Sequence, residues 1–155
     1  MVHLSKTLVF KQVYKHIFSK MDAKDYILKQ LPARQKLLTK IHYLILEADK
    51  QVSPVVELMM GKEMIVYKGK GSMKYALASV KNYMSLHLLP IYGSTALHSK
   101  YKTLLNKADI QKGCINFTNE DEMPLDIVKQ LMTDCSSIDL LKIREEYLMS
   151  KKLKK

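Results

Sequence analysis

The chain has no tryptophan, and its 155 residues include only five glycines, four prolines and two cysteines. Glycine and proline this sparse exclude collagen-like repeats and a Pro/Gly-rich linker architecture. Cys114 and Cys135 stand 21 positions apart, so neither a C-x-x-C metal or redox motif nor a disulfide framework is available. No apolar run approaches the ~20 residues that a membrane-spanning helix needs. The familiar catalytic signatures are also missing: no G-x-S-x-G, no H-E-x-x-H, no P-loop. The one glycine-rich stretch, Gly69-Lys70-Gly71-Ser72, is too short for a dinucleotide fingerprint. These gaps argue for a protein that is not an enzyme. The opening "MVHLSKTLVFKQVYKHIFSK" is interrupted by Lys6, Lys11 and Lys15 and lacks the small-residue cleavage site of a signal peptide. With free thiols, that sets the expectation of a cytoplasmic protein without a membrane anchor.

Acidic residues are scarce in one region only. Residues 1–113 hold 19 Lys/Arg against 7 Asp/Glu, whereas residues 114–155 hold 7 against 8. A basic body invites a nucleic acid or an acidic partner, and nine tyrosines offer stacking surfaces. No RNP-like aromatic pair or helix-turn-helix signature accompanies them, and Tyr67, Tyr75 and Tyr83 read as well as sheet packing.

What the chain does have is a clear change of period. "MDAKDYILKQLP" begins with Asp22 at an N-cap position, and Pro32 suits the first turn of a new helix. Leu37, Leu38, Ile41, Leu44, Ile45 and Ala48 then form one apolar stripe at helical spacing, with His42 at its edge as a packing residue. Ser53-Pro54 reads as a further helix start, with Gly61 as its stop. From residue 63 the pattern alternates. It predicts strands over 63–68, 72–80 and 82–89, a glycine turn at 68–71, and a short fourth strand after Gly113. A helix with Ala96, Leu97, Tyr101, Leu104 and Leu105 inward is expected between the third and fourth strands. Two more follow "NEDEMPLD" and "SSIDLL". Hairpins in place of βαβ crossovers imply an α+β fold: an antiparallel sheet of about four strands with helices packed on one face. Residues 1–21 read as an N-terminal extension, a further helix or a dimerisation arm, and 22–155 as the domain.

In the third strand Met84, Leu86 and Leu88 point one way and Tyr83, Ser85 and His87 the other. A tight turn at Lys81-Asn82 would pair Val80 with Tyr83, Ala78 with Ser85 and Ala76 with His87. Lys74, Ala76, Ala78 and Val80 then share a face with Tyr83, Ser85 and His87. Small alanines opposite polar groups leave a shallow depression, a candidate site for a small ligand or a partner segment. Ser85 and His87 also neighbour each other there, but no third group or oxyanion site completes a nucleophilic arrangement. Cys114, beside a glycine, reads as a small buried hydrophobe.

The order "LPARQKLLTKIHYLILEAD", "VVELMMGKEMIVYKGKG", "ALASVKNYMSLHLLP", "KGCINFTNEDEMPLDIVKQLM" resembles the bacterial YdhG-like family, a domain of unknown function with a frataxin-like iron-chaperone branch. The resemblance covers roughly residues 22–135. In that family a Glu precedes an aromatic-Gly-x-Pro turn. Glu57 and Gly61 match, while Met60 and Glu63 stand where the aromatic and the proline are usual. The resemblance implies a binding role for Glu57 and makes Glu120, Asp121, Glu122 and Asp126 the candidate iron ligands. The same carboxylates also suit a helix N-terminus, and the basic body disfavours a surface cation. His87 and His98 form no ligand spacing. The expectation is a non-catalytic module binding a small ligand or partner, with iron chaperoning its specific version. A nucleic-acid or acidic-partner binder is the alternative, and a homodimer remains open.

Overall fold

A computed structural model describes residues 21–154; residues 1–20, most of the expected N-terminal extension, lie outside it. The chain runs α1 (Ala23–Leu28), α2 (Pro32–Ala48), β1 (Ser53–Met59), β2 (Lys62–Gly69), β3 (Ser72–Ser79), β4 (Met84–Leu88), α3 (Leu89–Tyr92), α4 (Thr95–Leu104), β5 (Asp109–Ile110), β6 (Cys114–Phe117), α5 (Leu125–Ser136) and α6 (Leu140–Leu153). The strands form one antiparallel sheet in the order β1-β2-β3-β4-β6-β5.

Local chemistry explains most boundaries. The Asp22 side chain accepts from the Asp25 N–H at 2.8 Å and caps α1. Pro32 opens α2, where its missing N–H costs nothing. Asp139 caps α6 through the N–H groups of Leu141 and Lys142. The stripe of α2 buries Leu37, Leu38, Ile41 and Ile45 on the sheet. His42 joins them, and its Nδ1 shares a 2.7 Å hydrogen bond with the buried Tyr67 hydroxyl. Facing the helices, Tyr67, Tyr75, Leu77, Leu86, Leu88, Ile115 and Phe117 complete the core with Val128, Leu131 and Met132 of α5. Truncating one of these leucines to alanine would cost ~2–5 kcal/mol.

Three expectations are corrected. The sheet has six strands rather than about four. The helix expected from Ser53 to Gly61 is β1 and its turn: the β-branched pair Val55-Val56 favours a strand, and Pro54 is tolerated because β1 is an edge. Met60 and Gly61 both take positive φ, 50° and 77°, which makes them a two-residue hairpin turn and not a helix stop. The other omitted strand, β5, has two residues and no periodicity to read. In α4 Tyr101 and Leu105 are buried, but Ala96 and Leu104 are exposed, so the buried arc is narrower than expected.

Candidate binding groove on the open sheet face

The β3–β4 hairpin has the expected register. Ala76 stands opposite His87, Ala78 opposite Ser85, and the Val80 N–H donates to the Tyr83 carbonyl at 2.9 Å. The pairing continues across the sheet, so Val66, Ala76, His87 and Cys114 form one transverse row. Ala78, Ser85, Asn116 and Asp109 form the next. Both rows lie on the face away from the helices, because cross-strand partners share a face.

Part of this face is sealed by its own side chains. Met64, Val66, Ala76 and Ala78 make a second small cluster, with Val55, Met59 and Met73 against it. Ala76 is therefore covered and not open as expected. Beside it, over Ala78 and β4, runs a groove of about 750 Å³. Met59, Met64 and Met73 contribute to its lining with Tyr83, Ser85, His87, Tyr92, Cys114 and Asn116, and Lys62 and Lys112 are also among the residues around it. Gly113 permits the approach of Tyr92: a Cβ there would lie 3.3 Å from the tyrosine Cβ.

Apart from Lys62 and Lys112, the side chains lining the groove are uncharged ones. Burial lowers the His87 pKa, and no neighbouring charge or hydrogen bond offsets it, so the imidazole is neutral at pH 7. Burial likewise raises the Cys114 thiol, with a smaller opposing contribution from Ser85, which leaves it protonated and a poor nucleophile. Tyr83 is 36% exposed and Ser85 is 4% exposed, the first at the surface and the second deep. Hydroxyls, an imidazole, an amide and a thiol can donate and accept hydrogen bonds here, but none carries charge at pH 7.

Two residues expected in the depression are elsewhere. β3 carries one extra residue, Lys74, because Tyr67 pairs with Tyr75 while Lys68 pairs with Met73. Lys74 is buried, with its ammonium 2.8 Å from the Asp49 carboxylate and 3.1 Å from the Ser136 carbonyl. Strict alternation had assigned it to the open face, and the bulge breaks that alternation. Glu57 is on the open face but bonds Lys68 at 2.5 Å and does not line the groove. The candidate iron ligands also do not converge. Glu120 pairs with Lys40 and Asp121 with Lys107, Glu122 accepts from Thr118, and Asp126 sits in the first turn of α5. Among the described residues no three His, Cys, Asp or Glu side chains form a cluster able to hold a metal ion.

The sequence reading missed the methionine wall. Its signal was the Val55-Val56 pair and the Met60-Gly61 turn, which together mark a hairpin and place Met59 and Met64 on one face. Arg34 was missed too: from the first turn of α2 it donates to the Ser79 hydroxyl at 2.9 Å and to the Val80 and Lys81 carbonyls, fixing the turn that leads into Tyr83.

Comparison with known protein families and with curated proteins finds no match to this sequence. Among solved structures, the chain is similar to YdhG of Bacillus subtilis, a protein of the DUF1801 family. The TM-score is 0.50 at 10% identity, over 77% of this chain and 87% of that one. The chain has the YdhG-like fold. At that identity the likeness concerns the fold alone. Within it, the helices cover one face of the sheet, leaving Tyr83, Ser85 and His87 beside the groove on the other.

Proposed function

We propose that the protein is a non-catalytic binding module that takes a small, uncharged, largely apolar ligand in the open-face groove. One observation carries this reading: the groove joins an apolar methionine wall to a row of convergent uncharged polar groups, with Lys62 and Lys112 as the charged residues among its lining. Apolar lining with a few fixed hydrogen-bonding groups is the usual build of a small-molecule site. Methionine adapts its shape to an irregular occupant at little cost. The Ser85–His87 pair lacks a charged orienting group, so binding fits better than nucleophilic chemistry.

The iron-chaperone version gains no support from residues 119–126, whose carboxylates bond lysines or a nearby threonine, or sit at a helix start. The nucleic-acid or acidic-partner alternative rests on the net charge alone: Lys40, Lys68, Lys70, Lys74, Lys100 and Lys107 are each paired with a carboxylate, while most other described basic side chains are not.

The test is a fluorescence titration with Nile red, an uncharged apolar dye. The intact chain should bind it saturably at about one equivalent. Tyr83→Ala with His87→Ala should weaken binding by roughly tenfold, the loss of ~1.4 kcal/mol. Equal binding by the wild type and the double variant would refute the reading.

A further inference from the structure

Of the described helices, only α6 buries no side chain. Leu140 and Ile143 are half-buried, and Ile143 Cδ1 lies 3.7 Å from where a Cβ on Gly93 would stand. From Arg144 onward every described residue is exposed, including Leu148 at 48%, Met149 at 65% and Leu153 at 88%. An isolated helix of fewer than ~12–15 residues is marginal in water, and helices in proteins persist because an apolar face is packed. The outer half of α6 has such a face and nothing described against it.

Lys142, Glu145, Leu148, Met149, Lys152 and Leu153 line one shallow groove along the outer side. Their spacing, i, i+3, i+6/i+7 and i+10/i+11, places them on a single helical surface. On it Glu145 lies one turn before Leu148-Met149 and Lys152 one turn after, with Lys142 a further turn back. The Glu145 and Lys152 positions flanking the apolar centre complement each other when two such surfaces run antiparallel.

We propose that α6 pairs antiparallel with α6 of a second copy of this chain about a two-fold axis between Leu148 and Met149. Glu145 then faces Lys152 of the other copy, and Leu148 meets Met149 at the centre. A parallel arrangement would set Glu145 against Glu145 and lysines against lysines. The contact is isologous and therefore closes as a dimer. A helix of this length spans ~21 Å, so the pair buries less than the ~1,200 Å² of a standard stable interface, and the dimer is weak and reversible.

Sedimentation velocity on the intact chain tests this, over concentrations from about 5 to about 500 μM. At ~50 mM salt the mass should rise toward twice the monomer, and less so at ~500 mM salt. Glu145→Lys should weaken association at least tenfold, as should Lys152→Glu. The two changes together should restore it. Circular dichroism checks that each variant folds. A monomer at every concentration would overturn the proposal, as would association unmoved by either reversal or a double variant that stays monomeric. Protection of α6 amides from hydrogen exchange in a monomeric chain would mean another segment of the same chain covers it, which also overturns the proposal.

Discussion

Arg34 and Val80 are 46 positions apart, and the guanidinium of the first donates to the carbonyl of the second. The same group reaches the Ser79 hydroxyl at 2.9 Å and the Lys81 carbonyl at 3.2 Å. One side chain of the helical layer thus fixes the turn that presents Tyr83 on the far side of the sheet. Hydrogen bonds from a charged donor contribute about 1.5–3 kcal/mol. Arg34→Ala should lower stability by roughly that amount in urea unfolding and weaken Nile red binding through Tyr83. Arg34→Lys should recover little, since an ammonium cannot span three acceptors held by a planar fork.

The buried Lys74–Asp49 pair links the β3 bulge to the end of α2 and, through Ser136, to α5. Burial alone would raise the Asp49 carboxyl, but hydrogen bonds from Lys74, Tyr75 and the Gln51 N–H outweigh it and hold the pKa below the usual value. The pair's stabilisation is therefore present above the unfolded carboxyl value of about 3.9 and is lost as pH falls through the lower folded value. Lys74→Met leaves a buried carboxylate with no cation and should cost about 3–5 kcal/mol at pH 7. In that variant burial is opposed only by the Tyr75 and Gln51 hydrogen bonds, so the Asp49 pKa should rise relative to the wild type and the loss should shrink on acidification to about pH 4. Urea unfolding at both pH values reads the reversal.

Groove binding should be pH-dependent through His87. Burial holds its folded pKa below the ordinary histidine value of about 6.5. His87 is neutral in the free protein down to that folded value, and a bound apolar ligand desolvates it further and disfavours the imidazolium. Nile red affinity should therefore hold above the folded value and fall as pH drops below it in the wild type, and stay flat for His87→Gln. His42, also lowered by burial, lies on the helix side and serves as a control. NMR titration of both imidazoles separates the two.

Filling the groove should abolish binding without unfolding the chain. Asn116 is half-buried opposite Ser85 on β6, and an aromatic residue suits a strand there. Asn116→Phe should eliminate saturable Nile red binding, with a thermal midpoint within a few degrees of wild type by circular dichroism.

The β3–β4 hairpin was readable because its two faces differ so sharply in composition. Met84, Leu86 and Leu88 fix which side is inward, and a one-residue slip would expose all three. β1 was not readable, since Ser53-Pro54 satisfies the rules for a helix start while only Val55-Val56 argues for a strand. Lys74 was misplaced for a different reason. A bulge is set by tertiary contacts, here with Asp49 and Ser136, which no local pattern announces. The carboxylates at 120–126 looked like a cluster because they are adjacent in sequence, but most are drawn to separate partners. The groove followed half from legible pairing and half from the unread β1–β2 hairpin that supplies its methionines.

Methyl NMR of methionine-labelled protein titrated with Nile red tests the central claim most directly. The account predicts shifts confined to Met59, Met60, Met64 and Met73, which line the groove, while the buried Met84, Met123 and Met132 of the helix side stay fixed. Shifts centred on those core methionines, or no shift at saturating dye, would contradict it.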